Sequence, residues 1–500
     1  MARADALRGR NVLVAGAGVT GRSTVTALVE LGANVTVTDG RAEALTDFGD
    51  LARPGLTAPP EGTDLVVTSP GWKPTSPLLV AAAERGIEVI GEVELAWRMS
   101  SGQVWLAVTG TDGKTTTVGM LESILRAAGA KAVACGNVGL PVVDAVRAGY
   151  EVLAVELSSY QLHWQDSLAV DAAVVLNLAE DHIEWHGSME EYAKAKAKIY
   201  RGAKTRLHNA DDEWSAQLAD GGTGFTVHEP TGNNRYGIHD GWLVEIPTRP
   251  DELPADLSPR PSPQDSPPPN PGGVPAPVYR GQGQDQGVQE QLGTTTPAVD
   301  NSALIRLCPV DEVRPSGMHN VSNALAAAAL ARTYGVPPEA VREGLRTYEP
   351  QPHRVQLVGE IDGVRFVNDS KATNTHAAEG SLKAYDSIVW IAGGQLHGAE
   401  VDDLVASVSA RLRGVLLLGA DQEIFAQAIR RHAPEIPVKR LNPGDDEPMT
   451  AAVRAARDLA RPGDVVLLAP AAKSHDMFSS YVHRGEAFID AVAKAVQASA

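Results

Sequence analysis

Only two cysteines, Cys135 and Cys308, occur in 500 residues. No disulfide framework can carry this fold, and Cys-rich or His-rich metal tracts are missing. No apolar run approaches the ~20 residues a membrane-spanning helix needs, and Met1-Ala-Arg-Ala-Asp-Ala6 offers no apolar signal segment. Basic residues are few beside acidic ones, 44 against 62, for a net charge of −18. That balance argues against nucleic acid or an anionic membrane as partner, so a polyanionic substrate would need local basic sites. The expectation is a soluble cytoplasmic protein of about three domains, at a soft ~150 residues each. The 43% hydrophobic content suffices for large cores.

What is present is a phosphate loop. The run Val104-Trp-Leu-Ala-Val-Thr-Gly-Thr-Asp-Gly-Lys-Thr-Thr-Thr117 reads as an apolar strand, a glycine turn, and a helix from Lys114 to about Ala128, stopped by Gly129. Backbone N–H groups in such a turn face a phosphate chain, and the helix N-terminus adds its positive dipole end. Lys114 would reach the terminal phosphates, and the Thr115 hydroxyl would ligate Mg²⁺. The standard pattern puts its first glycine at 108, where Val108 stands; the glycines here are Gly110 and Gly113. The plainer alternative is a strand–turn–helix with a surface lysine.

Strand-like runs alternate with helical ones along the chain. Strands are predicted at 11–15, 35–38, 65–68, 88–90, 104–108, 152–155 and 173–177, then at 364–367, 387–392, 414–418 and 465–469, a pattern of parallel βαβ sheets. The first unit ends in Gly16-Ala-Gly-Val-Thr-Gly21, with Asp39 after the next strand: a weak dinucleotide fingerprint, or glycines serving tight packing. Between 247 and 300 lie thirteen of the 33 prolines, with few large apolar residues. Such a stretch reads as a solvated, disordered insertion rather than an SH3-type ligand.

Chemistry-bearing residues follow the strands. Glu156 ends one, suiting Mg²⁺ or else a cap on the next helix. Asn177–Gly187 gathers Glu180, Asp181, His182, Glu184 and His186, with a metal or phosphate role for one histidine. Ser188-Met-Glu-Glu191 is a capping box. In its helix Tyr192, Lys196 and Ile199 share the apolar face, while Lys194 lies elsewhere, within reach of Glu190. An inward ammonium is costly unless paired or chemically altered, and a snorkelling Lys196 is the alternative. His319-Asn-Val-Ser-Asn323 sets two amides one turn apart, to contact a base or cap the helix. Arg354, Asp369 and Lys371 suit a nucleotide's ribose and phosphates, and Ala469-Pro-Ala-Ala-Lys-Ser474 follows the last long strand.

Taken together, Thr109–Thr116, Glu156–Gln161, Asp181-His182, His319–Asn323, His353-Arg354 and Asn368-Asp-Ser-Lys-Ala-Thr-Asn374 resemble the Mur ligases, over nearly the whole chain except the proline-rich stretch. The likeness is strongest to the glutamate-adding branch. It implies an α/β fold of three domains: a Rossmann-like N-terminal domain over 1–98, a central P-loop-type ATPase-like parallel sheet over 99–350, and a Rossmann-like C-terminal domain over 351–500. It implies an ATP-dependent ligase, a monomer, with UDP-N-acetylmuramoyl-L-alanine, D-glutamate and ATP as partners and no nucleic acid or membrane. The matching positions place the UDP substrate on Val19, Thr20, Asp39, Ser69, Pro70, Gly71, Asn137, Ser158 and Gln161. ATP falls on Gly110, Thr111, Asp112, Gly113, Lys114, Thr115, Thr116, Asn320, Asn323, Arg354, Asp369 and Lys371. Two Mg²⁺ ions are implied, one on Thr115 and Glu156, the other on His182 and on Lys196 carbamylated by CO₂. Lys114, Glu156, His182 and Lys196 form the catalytic set.

The amino acid falls on Thr373, His397, Ser474, His475 and Tyr481. Two of these depart from the family pattern. Gly393-Gly-Gln-Leu-His-Gly398 has His397 where a lysine is usual, and His475 replaces an apolar residue. A free imidazole is mostly neutral above pH ~6.5, so Lys371, Lys473 and His475 are the other candidates for the carboxylate partner. The alternatives are a Mur-type ligase using L-glutamate, a folylpolyglutamate synthase, a nicotinamide-dependent oxidoreductase built on Gly16–Gly21, and a non-catalytic nucleotide-binding scaffold.

Overall fold

A computed structural model describes residues 7–247, 304–441 and 447–499. The proline-rich stretch therefore lies, apart from Pro247, outside the described residues. Three sheets follow one another along the chain. The first holds β1 (Asn11–Ala15), β2 (Asn34–Thr38), β3 (Leu65–Thr68) and β4 (Glu88–Gly91), all parallel in the order β2-β1-β3-β4. Their residues are short apolar runs buried on both faces, as helix-covered parallel strands should be.

The second sheet has nine strands. Its parallel part is β5 (Val104–Thr109), β6 (Ala132–Gly136), β7 (Val152–Glu156), β8 (Ala172–Val175), β9 (Thr205–Asn209), β10 (Thr223–Phe225) and β11 (Asn234–His239). Two antiparallel edge strands, β12 (Trp242–Glu245) and β13 (Ile305–Pro309), complete the order β13-β12-β11-β10-β9-β8-β5-β7-β6. The sequence pattern missed β6, and also β9 to β13, which are short or mixed in polarity. Glu245 pairs with Ile305, so described residues on either side of the proline-rich stretch are neighbours in the ladder.

The third sheet contains β14 (Gln356–Ile361), β15 (Val364–Asn368), β16 (Ile388–Gly393), β17 (Leu412–Leu418), β18 (Val438–Arg440) and β19 (Val465–Leu468), ordered β14-β15-β19-β16-β17-β18 with only β14 antiparallel. Fully buried Trp390 anchors its core and donates its indole N–H to Ala469 O at 2.7 Å.

Specific contacts join the sheets. Buried Glu94 accepts from Asp166 N, Ser167 N and Ser167 Oγ, tying the first sheet's last helix to the second unit. From the third unit, Asn374 and His376 reach Asp112 in the phosphate loop, at 3.3 and 2.7 Å. Among the described residues no helix is long and apolar enough to cross a membrane.

Candidate active site

The phosphate loop takes its shape from glycine. Gly110 has φ +154° and Gly113 φ +81°, and a Cβ on Gly113 would overlap Asn323 Oδ1 at 2.2 Å. The helix Lys114–Ala127 starts directly after Gly113, with no side-chain cap on its first N–H groups. That leaves the N-terminus open to an anion. Asn177 holds the loop from below: Thr111 N donates to its carbonyl at 2.9 Å and Asp112 N to its Oδ1 at 2.8 Å. This explains why β8 ends at Val175, two residues before the predicted end. The role of Asn177 escaped the sequence reading, because only the fold brings residues 65 apart together.

Lys114 folds back on the loop, donating to Gly110 O at 2.9 Å and Thr111 O at 2.7 Å. Thr115 Oγ1 donates to Glu156 Oε2 at 2.7 Å, and Asn137 Nδ2 to Glu156 Oε1 at 2.9 Å. Glu156 does not cap the next helix. Ser158 does, through a reciprocal capping box with Gln161. A hydroxyl and a carboxylate converging beside a phosphate-binding helix end form a hard oxygen donor pair suited to Mg²⁺.

Lys196 is 2% exposed. Its ammonium donates to Gly110 O at 2.7 Å and lies 4.6 Å from the Tyr192 ring centre. Tyr192 and Ile199 are buried with it, as the helical spacing predicts. Burial, with Lys114 close by, drives its pKa well below the usual lysine range. Lys194 pairs with Glu191 at 2.6 Å, not with Glu190 as expected; i,i+3 reach is as good as i,i+4 on a helix. His182 adopts a left-handed backbone, φ +58°, beside Asp181 at 3.3 Å. Burial lowers its pKa and Asp181 opposes this, while Lys473 and Lys196 lower it further, favouring the neutral, metal-ligating ring. Among the described residues no three His, Cys, Asp or Glu side chains are grouped to hold a metal. An ion here would therefore complete its shell with water or substrate oxygens.

Lys114, Thr115, Asn137, Glu156, Asp181 and His182 line a cavity of about 890 Å³ between the second and third sheets, which also collects Asn320, Asn323, Arg354, Asp369, Lys371, Thr373, His397 and Lys473; Lys196 is not among its lining residues. Asn323 Nδ2 donates to Asn320 Oδ1 at 3.3 Å, so the two amides form one polar surface. Burial raises Asp369 to about 6 and, with Arg354 adding, lowers Lys371 to about 8. Lys371 sits 4.0 Å from the Tyr481 ring centre, linking the residues assigned to ATP with those assigned to the amino acid. Ser474 is buried behind this wall, and His475 is exposed and off the cavity.

Arg484 is the second residue the sequence reading missed. It is 1% exposed, and its guanidinium donates to Ser370 Oγ, Ser370 O and Ala472 O at 3.0 to 3.1 Å and to Gly393 O at 3.4 Å. One side chain thus fixes the three loops after β15, β16 and β19. Its signal in sequence, Arg484-Gly485, is faint: a Cβ on Gly485 would overlap His353 Nδ1 at 2.2 Å.

A smaller cavity of about 370 Å³ lies in the first unit, lined by Asp39, Gly71, Trp72 and Lys73. Asp39 Oδ2 accepts from Ala17 N and Oδ1 from Arg41 N, both at 2.9 Å. A Cβ on Gly16 would strike Ser69 Oγ at 2.3 Å, and one on Gly21 would strike Gly16 O at 1.9 Å. Packing thus requires Gly16 and Gly21, whereas a Cβ on Gly18 would meet nothing within 4 Å. Val19 is 71% exposed at the helix start.

Family models match three segments: the Mur ligase MurD-like N-terminal domain over 10–91, the Mur ligase middle domain over 108–231, and the Mur ligase glutamate ligase domain over 353–472. The chain is 48% identical to UDP-N-acetylmuramoylalanine–D-glutamate ligase of Thermobifida fusca, over 96% of this chain and 98% of that one. It is 46% identical to the protein of that name in Streptomyces avermitilis, covering 97% and 98%. Among solved structures, MurF ligase of Thermotoga maritima in complex with ADP shares the fold, with a TM-score of 0.55, 16% identity, and coverage of 99% and 97%.

Proposed function

The chain belongs to the Mur ligase family, and we propose that within it this enzyme joins D-glutamate to UDP-N-acetylmuramoyl-L-alanine, using ATP and releasing ADP and phosphate. It thereby serves a cytoplasmic step of peptidoglycan synthesis. The observation that carries this reading is one cavity with Lys114, Thr115 and Glu156 on its central wall and Lys371 and Thr373 on the opposing one. A nucleotide triphosphate and an amino acid can meet there. The relatives' names supply which acid and which amine.

The L-alanyl carboxylate attacks the γ-phosphorus of ATP, the bond to the β-bridging oxygen breaks, and an acyl phosphate and ADP result. Lys114 leaves its loop carbonyls to neutralise charge on the transferring group, with the loop N–H groups. Mg²⁺ on Thr115 and Glu156, and a second on His182 and a carbamate of Lys196, would supply charge neutralisation at the phosphates. Lys196 suits that modification: it is buried, its one hydrogen-bond partner is a carbonyl, and its amine is poised to be neutral. The unprotonated amine of glutamate then adds to the acyl carbon, and the tetrahedral species expels phosphate, which carries off the amine proton and leaves the amide. Asn320, Asn323, Arg354, Asp369 and Lys371 hold ATP across the two units. Thr373 and His397 face the glutamate, with Ser474 buried behind that wall and Tyr481 against Lys371, and the first unit, with Asp39 and Ser69–Gly71, holds the uridine diphosphate. Closure of the third unit excludes water from the acyl phosphate.

The test is phosphate release with UDP-N-acetylmuramoyl-L-alanine and a panel of D- and L-amino acids. D-glutamate should give the highest kcat/KM. A preference for L-glutamate would retain the ligase chemistry and remove the D-specific assignment.

A further inference from the structure

A dicarboxylic amino acid needs a permanent cation for its side-chain carboxylate, and the turn Gly393–Gly398 offers only an imidazole. The turn also runs on to Glu400 and Asp403, two carboxylates on the same cavity wall. His397 is therefore a weak attractor for an anion. The neighbouring loop is different. Gln395 N donates to Lys473 O at 2.9 Å and Lys473 N to Gln395 O at 3.0 Å, an isolated antiparallel bridge two residues from His397. Arg484 pins both strands of this bridge from behind, through Gly393 O and Ala472 O. Lys473 thus springs from a fixed backbone immediately beside the turn.

Its side chain lines the cavity, half-buried, and has no hydrogen-bond or ion-pair partner among the described residues. The other cavity lysines are occupied: Lys114 by loop carbonyls, Lys371 by the Tyr481 ring.

We propose that Lys473 is the specificity-determining cation for the side-chain carboxylate of the incoming amino acid, taking from the neighbouring loop the charge that the His397 turn lacks. This rests on the glutamate-adding reading above. An ammonium–carboxylate bond in a partly closed site is a charge-assisted hydrogen bond, and losing it should cost on the order of 10- to 100-fold in KM.

The experiment is steady-state kinetics on the full chain, varying each substrate in turn. Lys473→Met should raise the D-glutamate KM about 10- to 100-fold and leave the KM for ATP and for the UDP substrate within about threefold. The wild-type preference for D-glutamate over D-glutamine should fall by the same factor. Lys473→Arg should keep most of the affinity, and the double variant Lys473→Met/His397→Lys should restore it by returning the cation to the turn. An unchanged D-glutamate KM in Lys473→Met would overturn the proposal. So would a parallel rise in all three KM values, or a double variant no better than the single. If the wild type itself releases no phosphate in response to D-glutamate, the underlying reading fails first, and that is seen before any variant is compared.

Discussion

Glu92 offers a sharp test of the junction between the first two units. It opens the helix Glu92–Met99, is 2% exposed, and accepts from Val143 N at 3.2 Å, at the start of the helix Val142–Arg147. Burial raises its pKa to about 7, and the bonds from Val143 and Val142 only partly offset this. A carboxyl raised above its unfolded value of 4.5 releases a proton on unfolding between those two pH values. Its contribution is therefore most favourable below pH ~4.5, falls as pH rises to about 7, and is a constant penalty above. At 1.36 kcal/mol per unit the full penalty is about 3 kcal/mol. Glu92→Gln keeps the shape and an oxygen for Val143 N but carries no charge. We expect the variant to exceed the wild type by less than about 1 kcal/mol at pH 5 and by about 3 kcal/mol at pH 8. Urea unfolding at both pH values, followed through the transition that includes the first unit, reads the difference. An equal difference at pH 5 and pH 8, or a less stable variant at pH 8, would refute the reasoning.

Lys114→Ala should lower the rate of phosphate release by roughly 10²–10³ in a folded protein, since it removes a charge-stabilising group at the loop; near-normal release would remove Lys114 from the chemistry. Replacing about Pro250–Thr296 with a short Gly/Ser link should preserve activity and thermal midpoint, because Glu245 and Ile305 are already paired and loop closure depends weakly on length; a fall of many degrees would show that the segment supports the body. The Asp112–His376 pair should favour contact between the second and third units at pH 6 over pH 8.5. The Asp112 bond raises the pKa of His376, so the ion pair is present below pH ~6.5 and is lost as pH rises through that raised value. The effect is at most about 1 kcal/mol for so exposed a pair. Small-angle scattering should expand with pH in the wild type and not in His376→Ala.

Much of the site was legible because its parts are local. The phosphate loop, the Ser188 cap and the inward face of Lys196 each follow from spacing within one element, and the structure gives each the expected burial or bond. What stayed hidden acts across distance in sequence. Arg484 bonds Ser370, 114 residues away, and looks in isolation like any helical arginine. Asn177 and Asp112, 65 apart, meet only when β5 and β8 pair. Glu191 rather than Glu190 meets Lys194 because two spacings serve equally well on a helix. The antiparallel edge β12–β13 went unseen because its strands flank a long polar insertion that hides their partnership.

Gly110 O ties these observations to the metal chemistry. It accepts from Lys114 at 2.9 Å and from Lys196 at 2.7 Å, so two ammonium groups lie within about 6 Å of each other. At an effective dielectric near 20 that proximity costs about 3 kcal/mol of repulsion. Two changes relieve it: phosphate draws Lys114 away from the loop, or Lys196 gives up its proton. Only the second leaves a nucleophilic amine; were it to add to CO₂ and release a proton, the resulting carbamate would turn a repelled cation into an anion beside Lys114. Carbamylation of Lys196 should therefore precede ATP binding rather than require it. With ¹³C-bicarbonate at neutral pH, a carbamate carbon signal should appear in the nucleotide-free protein, survive Lys194→Ala, and vanish in Lys196→Ala. A signal that persists in Lys196→Ala, or none in the folded wild type, would sink this account and leave Lys196 a buried ammonium held by one carbonyl.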